Sequence, residues 1–170
     1  MKRAAAVSAA VLACAAGASA IASASGRTAA STAGRAAKVQ VSRTSIGDIL
    51  TTSQGLTVYE FTRDRAGKDS CVKVSGCIQI WPALLTSGKP VAGSGVKSSL
   101  LSTTRLPDGA SQVTYAGHPL YLYAGDSRPR DTGYVGVSSF GGTWEAVSAA
   151  GQGVKASKSS AASGAAPGAW

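Results

Sequence analysis

"GLTVYEFTRD" (residues 55–64) and "GHPLYLYAGD" (residues 117–126) are two versions of one pattern. Each opens on glycine, carries a tyrosine with a second aromatic residue two places on, and ends on an aspartate five places after the tyrosine. At an offset of 62, Gly55 meets Gly117, Tyr59 meets Tyr121, Phe61 meets Tyr123, Asp64 meets Asp126 and Asp69 meets Asp131. One inserted residue brings Trp81 onto Trp144. A fixed offset that keeps glycines, aromatics and acids in order marks an internal duplication. Two units are too few to stack as a solenoid, so they are expected to share one core.

Within each unit the pattern is strand-like. "TSIGDILTTSQGLTVYEFT" places two β-rich runs around a polar break at Thr52 to Gly55, and "SQVTYAGHPLYLYA" places two around Ala116-Gly117-His118. Both read as hairpins. Pro119 lacks an N–H to donate, so its strand starts there or lies at an edge. "TWEAV" (143–147) reads as a closing strand, and Pro82 limits "IQIWPALL" to a short strand or one helical turn. The fold class predicted is mainly β: a small, antiparallel domain built from two tandem repeats.

Residues i and i+2 of a strand share a face, so Tyr59 and Phe61 point together, as do Tyr121 and Tyr123. Asp64 stands at an odd spacing from Tyr59 and falls where the strand ends. Asp64-Arg65-Ala66-Gly67 has Asp first and Gly fourth, the places a type I turn favours, and Asp126-Ser127-Arg128-Pro129 follows suit apart from its proline. The tyrosine, aromatic and aspartate set is therefore expected to build a hairpin joint, with no catalytic residue assigned. "DRAGKD" and "DSRPRD" each hold two aspartates five apart with two basic residues between them, so these loops are expected to neutralise themselves. Neither fits a calcium loop, which needs alternating acids, a central glycine and a distal glutamate. No metal or other cofactor is expected.

The chain begins Met1-Lys2-Arg3, continues through an alanine-rich apolar run and reaches A-x-A sites at Ala18-Ser19-Ala20 and Ala22-Ser23-Ala24. That order is an export signal. Secretion is the favoured outcome; "VLAC" makes Cys14 the alternative site, a lipidated first residue that would anchor the chain to a membrane. Cys71 and Cys77 remain, and an exported chain with two such cysteines is expected to pair them. A redox or soft-metal role for this pair is the runner-up, although its five-residue spacing is wider than a C-x-x-C site. His118 is the only histidine, no G-x-S-x-G accompanies it, and it reads as a turn-edge residue.

The formal charge of +9 invites a nucleic-acid partner. Between residues 46 and 150, however, nine basic residues face eight acidic ones, and the excess lies at the ends. No nucleic-acid binding is expected. The ends are Ala, Ser and Gly rich and predicted flexible. The division expected is a signal peptide (1–24), a disordered linker (25–43), the β domain (44–150, with repeats at about 46–95 and 108–148) and a disordered tail (151–170).

The paired motifs (Tyr59, Phe61, Asp64; Tyr121, Tyr123, Asp126), the segment "CVKVSGCIQIWPAL", and "GHPLYLY" followed by "DTG" and Trp144 resemble the secreted-repeat lipoproteins of bacteria, which carry tandem Y-x4-D motifs. The resemblance covers about residues 46–148. It implies an exported envelope protein without an established activity. The function expected is non-enzymatic, structural or binding, with a cell-wall polymer or an envelope protein as partner.

Overall fold

The computed structural model describes residues 35–65 and 67–156. The expected signal peptide, its cleavage sites, Cys14, residues 25–34 and residues 157–170 lie outside the described residues. The elements in order are β1 (Lys38–Thr44), β2 (Gly47–Thr52), β3 (Tyr59–Phe61), a 3-10 turn (Cys71–Lys73), helix α1 (Cys77–Ile80), β4 (Val91–Ala92), a 3-10 turn (Ser98–Leu100), β5 (Leu101–Arg105), β6 (Ser111–Tyr115), β7 (His118–Pro119), β8 (Ser138–Ser139), β9 (Gly142–Val147) and β10 (Gly153–Val154). The fold is mainly β, in three small sheets.

In the first sheet β1 pairs antiparallel with β2 and parallel with β4. In the second β9 lies between β3 and β10 with β8 beside it, and in the third β6 lies between β5 and β7. The β6–β7 hairpin turns at Ala116-Gly117, and Pro119 is in the edge strand, where its missing donor leaves no gap. "IQI" falls in the single turn of α1, and "TWEAV" lies within β9.

Three boundaries move. Residues 38–43 were expected to be linker but form most of β1, because Val39 and Val41 alternate with polar residues and Val39 is fully buried. The second repeat begins with β5, not at residue 108: β5 and β6 form a hairpin that corresponds to β1 and β2. The tail expected from residue 151 contributes β10, and Gly151 is buried.

The two copies are interleaved rather than set side by side. β3 of the first pairs with β9 of the second, matching Tyr59 with Ala146 and Phe61 with Trp144. The reciprocal contact pairs Tyr121 of the second copy with Ala83 of the first. Further out, Ile49 bridges to Ser148 and Leu85 to Gln112, again exchanging partners between copies. At the centre Tyr59 and Tyr121 bond each other twice through their backbones, N to O at 2.9 Å both ways. The two halves are therefore related by an approximate two-fold, and neither closes a core alone.

The aromatic residues obey the same relation. Trp81 and Trp144 stack face to face, with centroids 4.0 Å apart. Phe61 stacks on the Trp144 of the other copy at 4.1 Å, and Tyr123 leans on the Trp81 of the other copy at 4.7 Å. Tyr59 meets Trp81 edge to face at 5.2 Å, and Tyr121 meets Trp144 at 5.1 Å. Such pairs contribute about 0.5–1.5 kcal/mol each beyond the area they bury. The Cys71–Cys77 disulfide is buried in this cluster, next to the segment that carries Trp81.

Candidate functional site

Strand parity puts Tyr59 and Phe61 on the aromatic face, and the chain then turns so that the Asp64 N–H donates to the Phe61 carbonyl at 3.0 Å. The second copy repeats this turn, from the Asp126 N–H to the Tyr123 carbonyl at 3.2 Å. The tyrosine and aspartate of one motif do not bond to each other. The Tyr59 hydroxyl donates to Asp126 Oδ2 at 3.0 Å, and the Tyr121 hydroxyl donates to Asp64 Oδ2 at 2.8 Å. Asp64 Oδ1 also accepts the N–H and hydroxyl of Ser70, at 2.8 and 2.6 Å. Asp126 Oδ1 is buried without a partner among the described residues.

Burial holds both carboxyls above their ordinary range: Asp64 is raised, and Asp126 is pushed up to about 7 despite the tyrosine hydrogen bond that favours its charged form. Burial, with the neighbouring aspartates, likewise lifts both tyrosines well above the usual phenol value. A hydroxyl that keeps its proton can donate it in a hydrogen bond, which suits it to holding a carboxylate and not to abstracting a proton from a substrate. Tyr123 lies half-buried against Tyr134, with centroids 3.7 Å apart; burial and then the Tyr134 hydroxyl push its pKa to about 12.

The opening glycines serve this joint. Gly55 and Gly117 both have φ of +84°, a conformation that strains any residue with a Cβ. Gly55 also accepts the Arg130 N–H at 2.8 Å, seating the second loop on the turn of the first copy. The first loop faces the turn of the second copy across an open depression of about 320 Å³ lined by Asp64, Arg65, Gly67 and Ala116–Pro119.

One constellation was not singled out in the sequence. Glu60 and Glu145 stand opposite each other in the β3–β9 pair, on the face away from the tryptophans, and both are buried. Gly153 closes over them so tightly that an added Cβ would fall within 3 Å of an oxygen of each. His118 Nδ1 lies 3.5 Å from Glu60 Oε2, and Lys155 Nζ lies 3.8 Å from Glu145 Oε1. Burial, then the neighbouring Glu145 and Asp64, pushes Glu60 up to about 7. The pseudo-equivalent positions are Leu122 and Pro82, so the interleaved architecture does not itself demand acids there. The available signal was a glutamate set between core aromatic or apolar residues in both "YEF" and "WEA", where alternation puts it on a second buried face.

Cys71 and Cys77 form the expected disulfide, and both are fully buried. Among the described residues, no group of three or more His, Cys, Asp or Glu side chains could hold a metal ion.

The repeat and its cross-copy bonds coincide with a known sequence pattern. The chain matches, twice, the family described as a secreted repeat of unknown function, over residues 40–85 and 102–148. It belongs to that family. No curated protein and no solved structure matches it. The secreted-repeat matches begin within β1 and at β5, in keeping with the hairpin that opens each structural copy. Members are described as secreted, and among the described residues no helix is long and apolar enough to cross a membrane.

Proposed function

We propose that this chain is an exported, non-enzymatic protein of the cell envelope, whose two interleaved repeats act as one structural or binding module. The observation that carries this reading is the exchange of tyrosine–aspartate bonds between copies. The acids of the two motifs tie the two halves together, each accepting from a tyrosine hydroxyl that burial keeps protonated. The family description and the export-type N-terminus support an extracytoplasmic site, with secretion favoured over lipid anchoring at Cys14. A redox role for Cys71 and Cys77 is the less favoured reading, since neither sulfur is exposed.

The partner is a cell-wall polymer or an envelope protein. The test is saturable binding of the mature protein to a purified envelope fraction, followed by separate trials with its polymer and its protein components. Binding to neither would remove the reading.

A further inference from the structure

Folding separates the charges by sign. Among the described residues every lysine and arginine is exposed, whereas of the acids only Asp48 and Asp108 are. The remaining six acids are buried or partly buried. The near-neutral balance read from the sequence therefore does not describe the surface that a partner meets.

The loops at residues 64–69 and 126–131 show how this arises. Each was expected to be self-neutralised by its two aspartates. Instead Asp64 is engaged by Tyr121 and Ser70, Asp69 is buried and accepts the Val72 N–H, Asp126 is held by Tyr59, and Asp131 accepts the Gly133 N–H. Arg65, Lys68, Arg128 and Arg130 stay exposed, with no carboxylate within 4.0 Å among the described residues. The motif that locks the copies thus turns one carboxylate of each loop inward, while the four cations stay outside.

We propose that these two loops, through Arg65, Lys68, Arg128 and Arg130, are the contact surface for a linear polyanion of the envelope, one carrying repeated phosphate or carboxylate groups. The inference rests on the binding form of the function proposed above and names its partner class. Single cations on two separate loops, without an enclosing cage, suit a polymer that offers many weak contacts rather than one small anion. Neither loop interleaves aromatic residues with its cations, so nothing in them would stack on bases. The raised Asp126 carboxyl adds to the effect, since it sheds charge as the pH falls below about 7.

The test measures binding of the mature protein to polyphosphate as the probe, over a series of salt concentrations and beside anionic lipid vesicles. Wild type is expected to bind, with affinity that falls as salt rises. Combined reversal of the four loop cations (R65E, K68E, R128E, R130E) is expected to weaken binding at least tenfold and to flatten the salt dependence. Reversal of four other exposed cations (K73E, K89E, K97E, R105E) should change it less than threefold. Thermal unfolding of both variants checks that the fold is kept, and single reversals replace any set that unfolds. Equal effects of the two sets, no binding by wild type, or preference for vesicles would each overturn the inference. Envelope binding that survives the loop reversals would overturn it while leaving the proposed function standing, whereas absence of any envelope binding would remove that function itself.

Discussion

The Tyr59 hydroxyl donates to Asp126, not to Asp64, the aspartate of its own motif; the bond is 3.0 Å long and joins residues 67 apart in sequence. Its counterpart joins Tyr121 to Asp64. Y-x4-D is thus a local pattern in sequence and a pair of long-range bonds in the fold, which makes the exchange open to measurement.

Double-mutant cycles on stability should find coupling across the copies and none within them. Tyr59→Phe with Asp126→Ala, and Tyr121→Phe with Asp64→Ala, are expected to couple by about 1–3 kcal/mol, as hydrogen bonds to charged groups do. Tyr59 with Asp64, and Tyr121 with Asp126, should add to within about 0.5 kcal/mol. Coupling confined to the within-motif pairs would contradict the exchange. Asp126→Asn should be milder than Asp126→Ala, since its amide oxygen can still accept the tyrosine proton.

Stability should fall as the pH is raised from mildly acidic to mildly basic. Glu60 has an ordinary value of 4.5 and a folded value of about 7, so between these the folded state holds a proton that the unfolded chain has lost. Its contribution is fully present below the lower value and is lost as the pH rises through the higher one, with Asp126 and Asp64 shifted in the same direction. For Glu60 the change is on the order of 2 kcal/mol, allowing for solvent screening. Urea midpoints at pH 5 and pH 8 check the sign, and Glu60→Gln should flatten the trend. A wild-type midpoint that rises with pH would count against the buried acid pair.

Reduction of the Cys71–Cys77 bond, or Cys71→Ala with Cys77→Ala, should lower stability by about 2 kcal/mol, the loop-closure value for so short a span. Both sulfurs are buried, so reduction of the native protein should be slow and should accelerate in denaturant. Thiol titration with and without urea follows this directly. Rapid reduction without denaturant would show an accessible pair and revive the redox reading.

Gly153→Ala should loosen β10, because the added methyl would meet the Glu60 and Glu145 carboxylates. The cost expected is about 1–3 kcal/mol, the range for overpacking a tight site. Hydrogen exchange of the Val154 amide should rise more than that of β1 or β6 amides. Uniform acceleration across the domain would show instead that β10 opens only with the whole fold.

The chain alone made legible the duplication, the strand character, the edge position of Pro119, the shared face of each aromatic pair and the cysteine partnership. These follow from period, local chemistry and a shortage of other partners. It also marked Asp64 and Asp126 as strand-end residues. Packing settled which copy each aspartate serves, since two equivalent motifs offer equivalent local partners and the interleaving of the halves, with β3 beside β9 and Trp81 on Trp144, sets them against each other. It also brought Glu60 to Glu145 across strands from different copies, a pairing with no local trace. Finally, it placed the charge: counting side chains along "DRAGKD" balances acid against base, but the Asp64 carboxylate turns inward to a buried tyrosine while Arg65 stays in water.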